Sequence, residues 1–212
     1  MCNKSDIWLH ILKDSNKISN ETELENENIE IYITAKNIKE AKYNWKGNKN
    51  QFEPRLLTKY DSKKSRPNLF KKYKLTIIPI NNGIYLISKS EIYEEINYQY
   101  LPFINFTLEK YYGIILNTLN ELKGESNILD KLQYSRILDK IIGEKVLQGP
   151  LMNGRHRVSF DAIIGNKKLN IKGVQCEIDG VFESENIITL VEVKSKILHD
   201  FNLKQLYYPF KK

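Results

Sequence analysis

The chain has 212 residues, 41% of them hydrophobic and 11% aromatic, more apolar surface than a disordered chain carries and enough to offset the ordering entropy of a core. No stretch approaches the roughly 20 consecutive apolar residues of a membrane span, and the opening MCNKSDIW lacks a signal peptide's apolar core, so a cytoplasmic protein with no membrane partner is expected. The net charge of +7 agrees with a nucleic-acid partner, while two distant cysteines, Cys2 and Cys176, exclude a zinc-finger or disulfide framework.

In chain order, ETELENENIE at residues 21–30 is acidic, IEIYITA from Ile29 to Ala35 alternates like a strand, and Asn37 to Tyr43 suits a short helix. QFEPRLLTKYD follows, a polar and basic segment around Pro54 that includes Arg55. Between Thr58 and Lys74 stand Lys59, Lys63, Lys64, Arg66, Lys71, Lys72 and Lys74 against the single acid Asp61, a run suited either to phosphate contact or to a solvated face. PNLFKKYK reads as a helix opened by Pro67, with Leu69, Phe70 and Tyr73 on one side. LTIIPINNGIYLIS reads as two strands joined by a turn at Asn81, Asn82 and Gly83, and Pro79 makes the first an edge strand or ends it early. Short helices followed by a hairpin suit a small winged-helix-like DNA reader.

From Glu91 the pattern turns helical, breaks at Pro102, resumes from Ile104 to Lys123 and stops at Gly124. A second helix is expected from Ile128 to Ile142, closed by Gly143, and QGPLMNG has a loop's composition. Three strand candidates follow: RVSFDAII, KLNIKGVQCEIDGVFE and NIITLVEVKS. Asp200 is placed to cap a last helix from Phe201, which Pro209 cuts short. The expected fold class is α+β with an α/β-type core, divided into an N-terminal module over residues 1–100 and a second domain over 101–212.

The chemistry gathers near the C-terminus. Side chains two apart on a strand share a face, so Glu177 and Asp179 point one way, and Glu192 and Lys194 share a face opposite the apolar Val191 and Val193. Twelve residues lie between Asp179 and Glu192, room for two strands to fold back through a turn near Glu185 and Asn186. Phosphodiester hydrolysis calls for hard oxygen ligands to Mg²⁺, which Asp179 and Glu192 would supply with the Val193 carbonyl, while Lys194 orients or deprotonates water. A hairpin with solvent-exposed ion pairs is the alternative. Two charges in an otherwise apolar run, and Gly180 directly after the acid, favour a used site.

CEIDG and VEVKSK resemble the active site of the PD-(D/E)XK nuclease superfamily, and EPRLLTKYD, LTIIPINNGIYLI and the NGR at Arg155 resemble prokaryotic type II restriction endonuclease-like proteins, together over residues 30 to 210. The resemblance implies a core of helix, three strands and helix, Mg²⁺ (with Mn²⁺ as a substitute), site-specific cleavage of double-stranded DNA and a cognate DNA methyltransferase. It further implies a supporting acid on the preceding helix, Asp139 or Glu144, with Glu177 a fourth candidate ligand and Gln205 near the metal and lysine. Such a core continues with another strand where this sequence stops at Phe210, Lys211 and Lys212, so a C-terminally truncated relative is expected. Arg155, His156 and Arg157 suit phosphate or a guanine edge, or else a surface loop, and His156 is either a general base or a structural residue. Trp8 and Trp45 are expected to pack. Cutting both strands suits a homodimer; the rival reading is a DNA-binding protein, or inactive remnant, that does not cut.

Overall fold

Asn3 opens the first helix by accepting the Ser5 amide at 3.2 Å, and α1 (Lys4–Asp14) buries Ile7, Trp8, Ile11 and Leu12 along one stripe. This helix had no counterpart in the sequence reading. The Thr34 and Asn37 side chains cap each other's backbone where β1 (Glu30–Thr34) passes into α2 (Ala35–Ala41). Next come α3 (Pro54–Thr58), with proline in its first turn, and α4 (Asn68–Lys72). The hairpin of β2 (Thr76–Asn81) and β3 (Ile84–Ser88) turns at Gly83, whose φ of 70° favours glycine, and β4 (Tyr93–Glu95) follows.

The second half comprises α5 (Glu125–Tyr134), α6 (Ile137–Ile142), β5 (Gln148–Leu151), β6 (Gly154–Ile164), β7 (Lys167–Ile178), β8 (Gly180–Glu183), β9 (Ile188–Val191), β10 (Asp200–Asn202) and α7 (Lys204–Phe210). The computed structural model describes residues 3–97, 99 and 124–212, and its fold is α+β. A five-stranded sheet runs β1-β3-β2-β7-β6, a three-stranded sheet β5-β8-β9, and β4 pairs with β10. Within the large sheet only β2 and β7 are parallel, bridged at Asn81 and Lys172. Three of its strands precede residue 100 and two follow it, so one sheet spans both halves of the chain.

Apolar side chains of α1 to α4 pack with those of β1 to β3, Trp8, Phe70 and Ile33 among the deepest. Ile171, Val174 and Ile178 of β7 meet Tyr208 of α7, and Leu129, Leu138 and Phe182 form a further cluster under α5 and α6. Polar contacts stitch the halves together. The Tyr60 carbonyl accepts from Tyr93 Oη and Asn202 Nδ2, each at 3.1 Å; the Asp61 carbonyl accepts the Asn202 amide at 3.0 Å; and Tyr208 Oη donates to the Pro79 carbonyl at 2.9 Å.

Several expectations are corrected. Tyr93 to Glu95 form a strand rather than helix, because Asp200 to Asn202 offer them a partner edge. The proposed helix from Ile104 to Lys123 lies outside the described residues. The Ile128–Ile142 helix is two helices, interrupted where Arg136 takes φ 56°, with Gly143 ending the second at φ 82°. QGPLMNG holds β5, which pairs with β8 in spite of its glycine and proline. Pro79 lies on an interior strand; the ladder to β3 shifts register between Pro79 and Asn81, and β7 joins beyond the proline. Paired on both sides, the hairpin is built into the sheet rather than projecting as a wing. Asp200 does not cap the last helix: it accepts the Lys63 amide at 2.6 Å within β10, and α7 starts at Lys204, whose amide Asn202 Oδ1 accepts at 3.1 Å.

Trp8 Nε1 donates to Tyr60 Oη at 2.8 Å in full burial. Tyr60→Phe strands the indole N–H, and chemical denaturation should show a loss of about 1–3 kcal/mol with an unchanged denaturant slope.

Candidate active site

Strands β8 and β9 pair from Gly180↔Val191 to Glu183↔Ile188, and one further step of that register sets Asp179 opposite Glu192. Neither acid lies within a regular strand. Asp179 occupies the bend where the chain leaves β7 of the large sheet and enters β8 of the small one, and Glu192 and Lys194 follow the end of β9. The Val193 side chain is buried with Phe182 and Leu129, which fixes the segment between them. Val193 N–H donates to Asp179 Oδ2 at 2.7 Å, tying the two chain segments together and aiming the carboxylate. Glu192 Oε1 accepts from the Lys194 ammonium and, at 3.0 Å, from Gln205 Nε2 of α7.

These four side chains line one cleft of about 450 Å³. Glu125, in the first turn of α5, joins them and accepts the Ser195 amide at 3.3 Å. Asp61 reaches the cleft from the segment after α3. Burial pushes the Glu192 carboxyl above its usual range and the charges of Asp179 and Glu125 add to the effect, against the opposing contact with Lys194. Burial pulls the other way on Lys194, but its bond to Glu192 and the charges of Glu192, Glu125 and Asp61 prevail and hold the amine above its usual range. The carboxylates thus sit in an electrostatic environment that calls for positive charge.

Glu177, on β7, faces the basic wall. Arg55 Nη2, Lys59 Nζ and Arg155 Nε each lie 3.3 Å from its carboxylate oxygens. Partial burial favours the neutral acid, but Lys59, Arg55 and Arg155 outweigh it and lower its pKa. Glu177 is therefore committed to these bases rather than to Asp179 and Glu192.

Of the other basic residues read from the sequence, Arg55 and Lys59 line the cleft, and Arg155 stands beside them through Glu177. Lys63 pairs with Glu95 at 3.1 Å. Arg66 is spent inside the fold, donating to the Leu75 carbonyl at 3.0 Å and lying over the Tyr93 ring. Lys64 is exposed and not part of the cleft wall. Arg157 donates to the Gly173 carbonyl at 2.8 Å, and His156 Nε2 lies 2.6 Å from the Met152 carbonyl, which only accepts, so that nitrogen carries the proton. His156 does not line the cleft.

Neither Asp139 nor Glu144 supplies the helix acid. Asp139 accepts the Val146 amide at 3.0 Å and pairs with Arg136, and Glu144 accepts from Asn186. Glu125, at the start of α5, is the helix acid that lines the cleft. The sequence signal for it was an acid immediately after Gly124 at a helix start, where an N-terminus favours negative charge. Asp61 and Lys204 were also missed, since they are brought to the cleft by contacts between distant segments.

Among the described residues, no three His, Cys, Asp or Glu side chains gather so as to hold an ion by themselves. Two carboxylates completed by a main-chain carbonyl, water and substrate oxygens are nonetheless what a small hard divalent cation takes. Asp179 and Glu192 offer that donor chemistry, and Gln205 Oε1, buried without a hydrogen-bond donor, leaves an acceptor for a water beside them. The residues fit such an ion.

Lys204 is half-buried in the cleft wall, and desolvation pulls its pKa down to about 8, with Asp61 opposing and Lys59 assisting. Folding therefore disfavours its charged form: the deficit is full below that pH and fades as pH rises toward the ordinary lysine value. Lys204→Met should be more stable than the parent at pH 7, by roughly 1–3 kcal/mol in urea unfolding, with the gap narrowing by pH 10.

Residues 5–87 match a family described as a domain of unknown function (DUF6996), and residues 88–212 match a second, also a domain of unknown function (DUF6997). Comparison with curated proteins and with solved structures gives no match. The two matched segments meet at the end of β3, so the large sheet draws strands from both, and Asp61 and Arg55 share a cleft with Glu192 across that boundary. Since the longer match covers more than half of the chain, the protein belongs to the DUF6997 family, and the segment before it is similar to DUF6996.

Proposed function

We propose that the chain is a magnesium-dependent endonuclease of the PD-(D/E)XK type, hydrolysing phosphodiester bonds of double-stranded DNA in the manner of a type II restriction enzyme. The observation that carries this reading is the register of β8 and β9, which sets Asp179 opposite Glu192 with Lys194 in the same cleft. The order of α5 and α6, the strands β6 to β9, and α7 is compatible with the restriction-endonuclease core.

Asp179 and Glu192 would hold Mg²⁺ or Mn²⁺, with the Val193 carbonyl as a third protein oxygen. Bound there, the ion would polarise a phosphoryl oxygen and lower the pKa of water. Lys194 orients the attacking water and offsets phosphate charge. Gln205 and Lys194 together fix the Glu192 carboxylate, and Val193 N–H fixes that of Asp179, so little reorganisation is needed at the moment of reaction. Glu125 adds the acid borne by the preceding helix. Arg55, Lys59 and Arg155 supply positive charge for the DNA backbone. A cytoplasmic location, a homodimer for cutting both strands and a companion DNA methyltransferase complete the proposal.

Supercoiled plasmid incubated with the purified chain should be nicked or linearised with Mg²⁺ or Mn²⁺ and stay intact with EDTA. Asp179→Ala, Glu192→Ala and Lys194→Ala should each slow cleavage by about 100-fold or more. DNA binding with no metal-dependent cutting, and no change on Asp179→Ala, would establish the non-cleaving DNA-binding protein instead.

A further inference from the structure

We infer that Lys204, with Asp61 on the same cleft wall, forms a separate phosphate-binding subsite, taking a backbone phosphate of the nucleic acid; this rests on the nuclease reading for its ligand. Three observations carry it. Lys204 is half-buried in the cleft wall, yet its ammonium makes no hydrogen bond or ion pair among the described residues. Asp61 lines the same cleft, and its Oδ1 is buried without a hydrogen-bond partner. Asn202 joins the two: its main-chain N–H donates to the Asp61 carbonyl at 3.0 Å and its Oδ1 accepts the Lys204 main-chain N–H at 3.1 Å, so one residue fixes the backbone at both.

A half-buried ammonium without an acceptor, in a cleft that also holds a buried carboxylate oxygen without a donor, leaves polar capacity unused. Lys194 is satisfied by Glu192, and Arg55 and Lys59 by Glu177. Of the two amines that the second family segment brings to the cleft, Lys204 is the one without an acceptor among the described residues. A compact ammonium with three donors suits a phosphate oxygen, and the charge of Asp61 favours the charged form of the amine. Gln205, the next residue on α7, donates to Glu192, so the helix that presents Lys204 also braces the proposed reaction centre. The subsite belongs to neither the Asp179, Glu192 and Lys194 set nor the Glu177 cluster, and its two halves come from the two family segments.

The test measures binding of a short labelled DNA duplex to the full-length protein by fluorescence anisotropy in EDTA, over a series of salt concentrations. Lys204→Met should weaken binding about tenfold and reduce the slope of log affinity against log salt by about one, Lys204→Arg should keep most of the affinity, and Asp61→Asn should give an intermediate loss. The melting temperature of Lys204→Met should rise even as binding falls, a combination a packing residue does not give. Unchanged affinity and slope in Lys204→Met overturn the subsite, as does a wild-type chain that binds no duplex. Plasmid cleavage decides the nuclease reading separately. Wild-type binding without cutting removes that reading and leaves the subsite standing on the Lys204→Met result, whereas cutting with unchanged Lys204→Met binding removes the subsite alone.

Discussion

A side chain at residue 180 has no room: a Cβ there would come within 2.9 Å of Leu129 and 3.1 Å of Phe182 and Pro150. This close approach is the constraint on which the rest depends. Gly180 lets α5 lie directly on the point where the chain passes from one sheet to the other, with Asp179 held at the bend. The same contact brings the first turn of α5 near the end of β9, which is how Glu125 reaches the Ser195 amide. A crossing between sheets would otherwise leave polar backbone exposed at a joint. Here the Asp179 carboxylate closes it by accepting Val193 N–H.

The second determinant is the seam between the two family segments. Tyr60 and Asp61 turn their carbonyls to Asn202 and Tyr93, and Tyr208 reaches the Pro79 carbonyl, so the segment after α3 is held against the C-terminal elements by main-chain acceptors. Main-chain acceptors depend on backbone position more than on side-chain identity, which leaves Arg55, Lys59 and Asp61 free to face the cleft. The cleft is consequently a joint product of both segments: acids and the amines of Lys194 and Lys204 from the second, bases together with Glu53 and Asp61 from the first.

Alternation with Val191 and Val193 singled out Glu192 and Lys194 in the sequence, although the regular strand ends at Val191 and both residues follow it. β1, α2, the β2–β3 hairpin and the α+β class were legible for the same reason, with Gly83 marking the turn. Elements that owe their form to partners far along the chain were not. Tyr93 to Glu95 read as helix until β10 supplied an edge, and the glycine and proline of QGPL obscured a strand that exists because β8 lies beside it. Asp200 had a cap's chemistry but was claimed by the Lys63 amide, which moved the start of α7 onward and placed Lys204 and Gln205 in its first turn. Glu125 was not weighed, because the sequence reading ended one helix at Gly124 and began the next at Ile128, whereas the helix starts at Glu125 itself.

The cluster around Glu177 bears on how the cleft meets a polyanion. Arg55, Lys59 and Arg155 are long, largely solvated side chains, and freezing such a chain on association costs about 0.5–1.5 kcal/mol each. Their common carboxylate already gathers them from α3 and β6 onto a single point, so much of that entropy is lost on folding and not on encounter. The rim is accordingly a preformed surface whose internal counter-ion screens mutual repulsion among three cations, and under the proposed function an arriving strand would exchange one anion for another without having to assemble the wall that receives it.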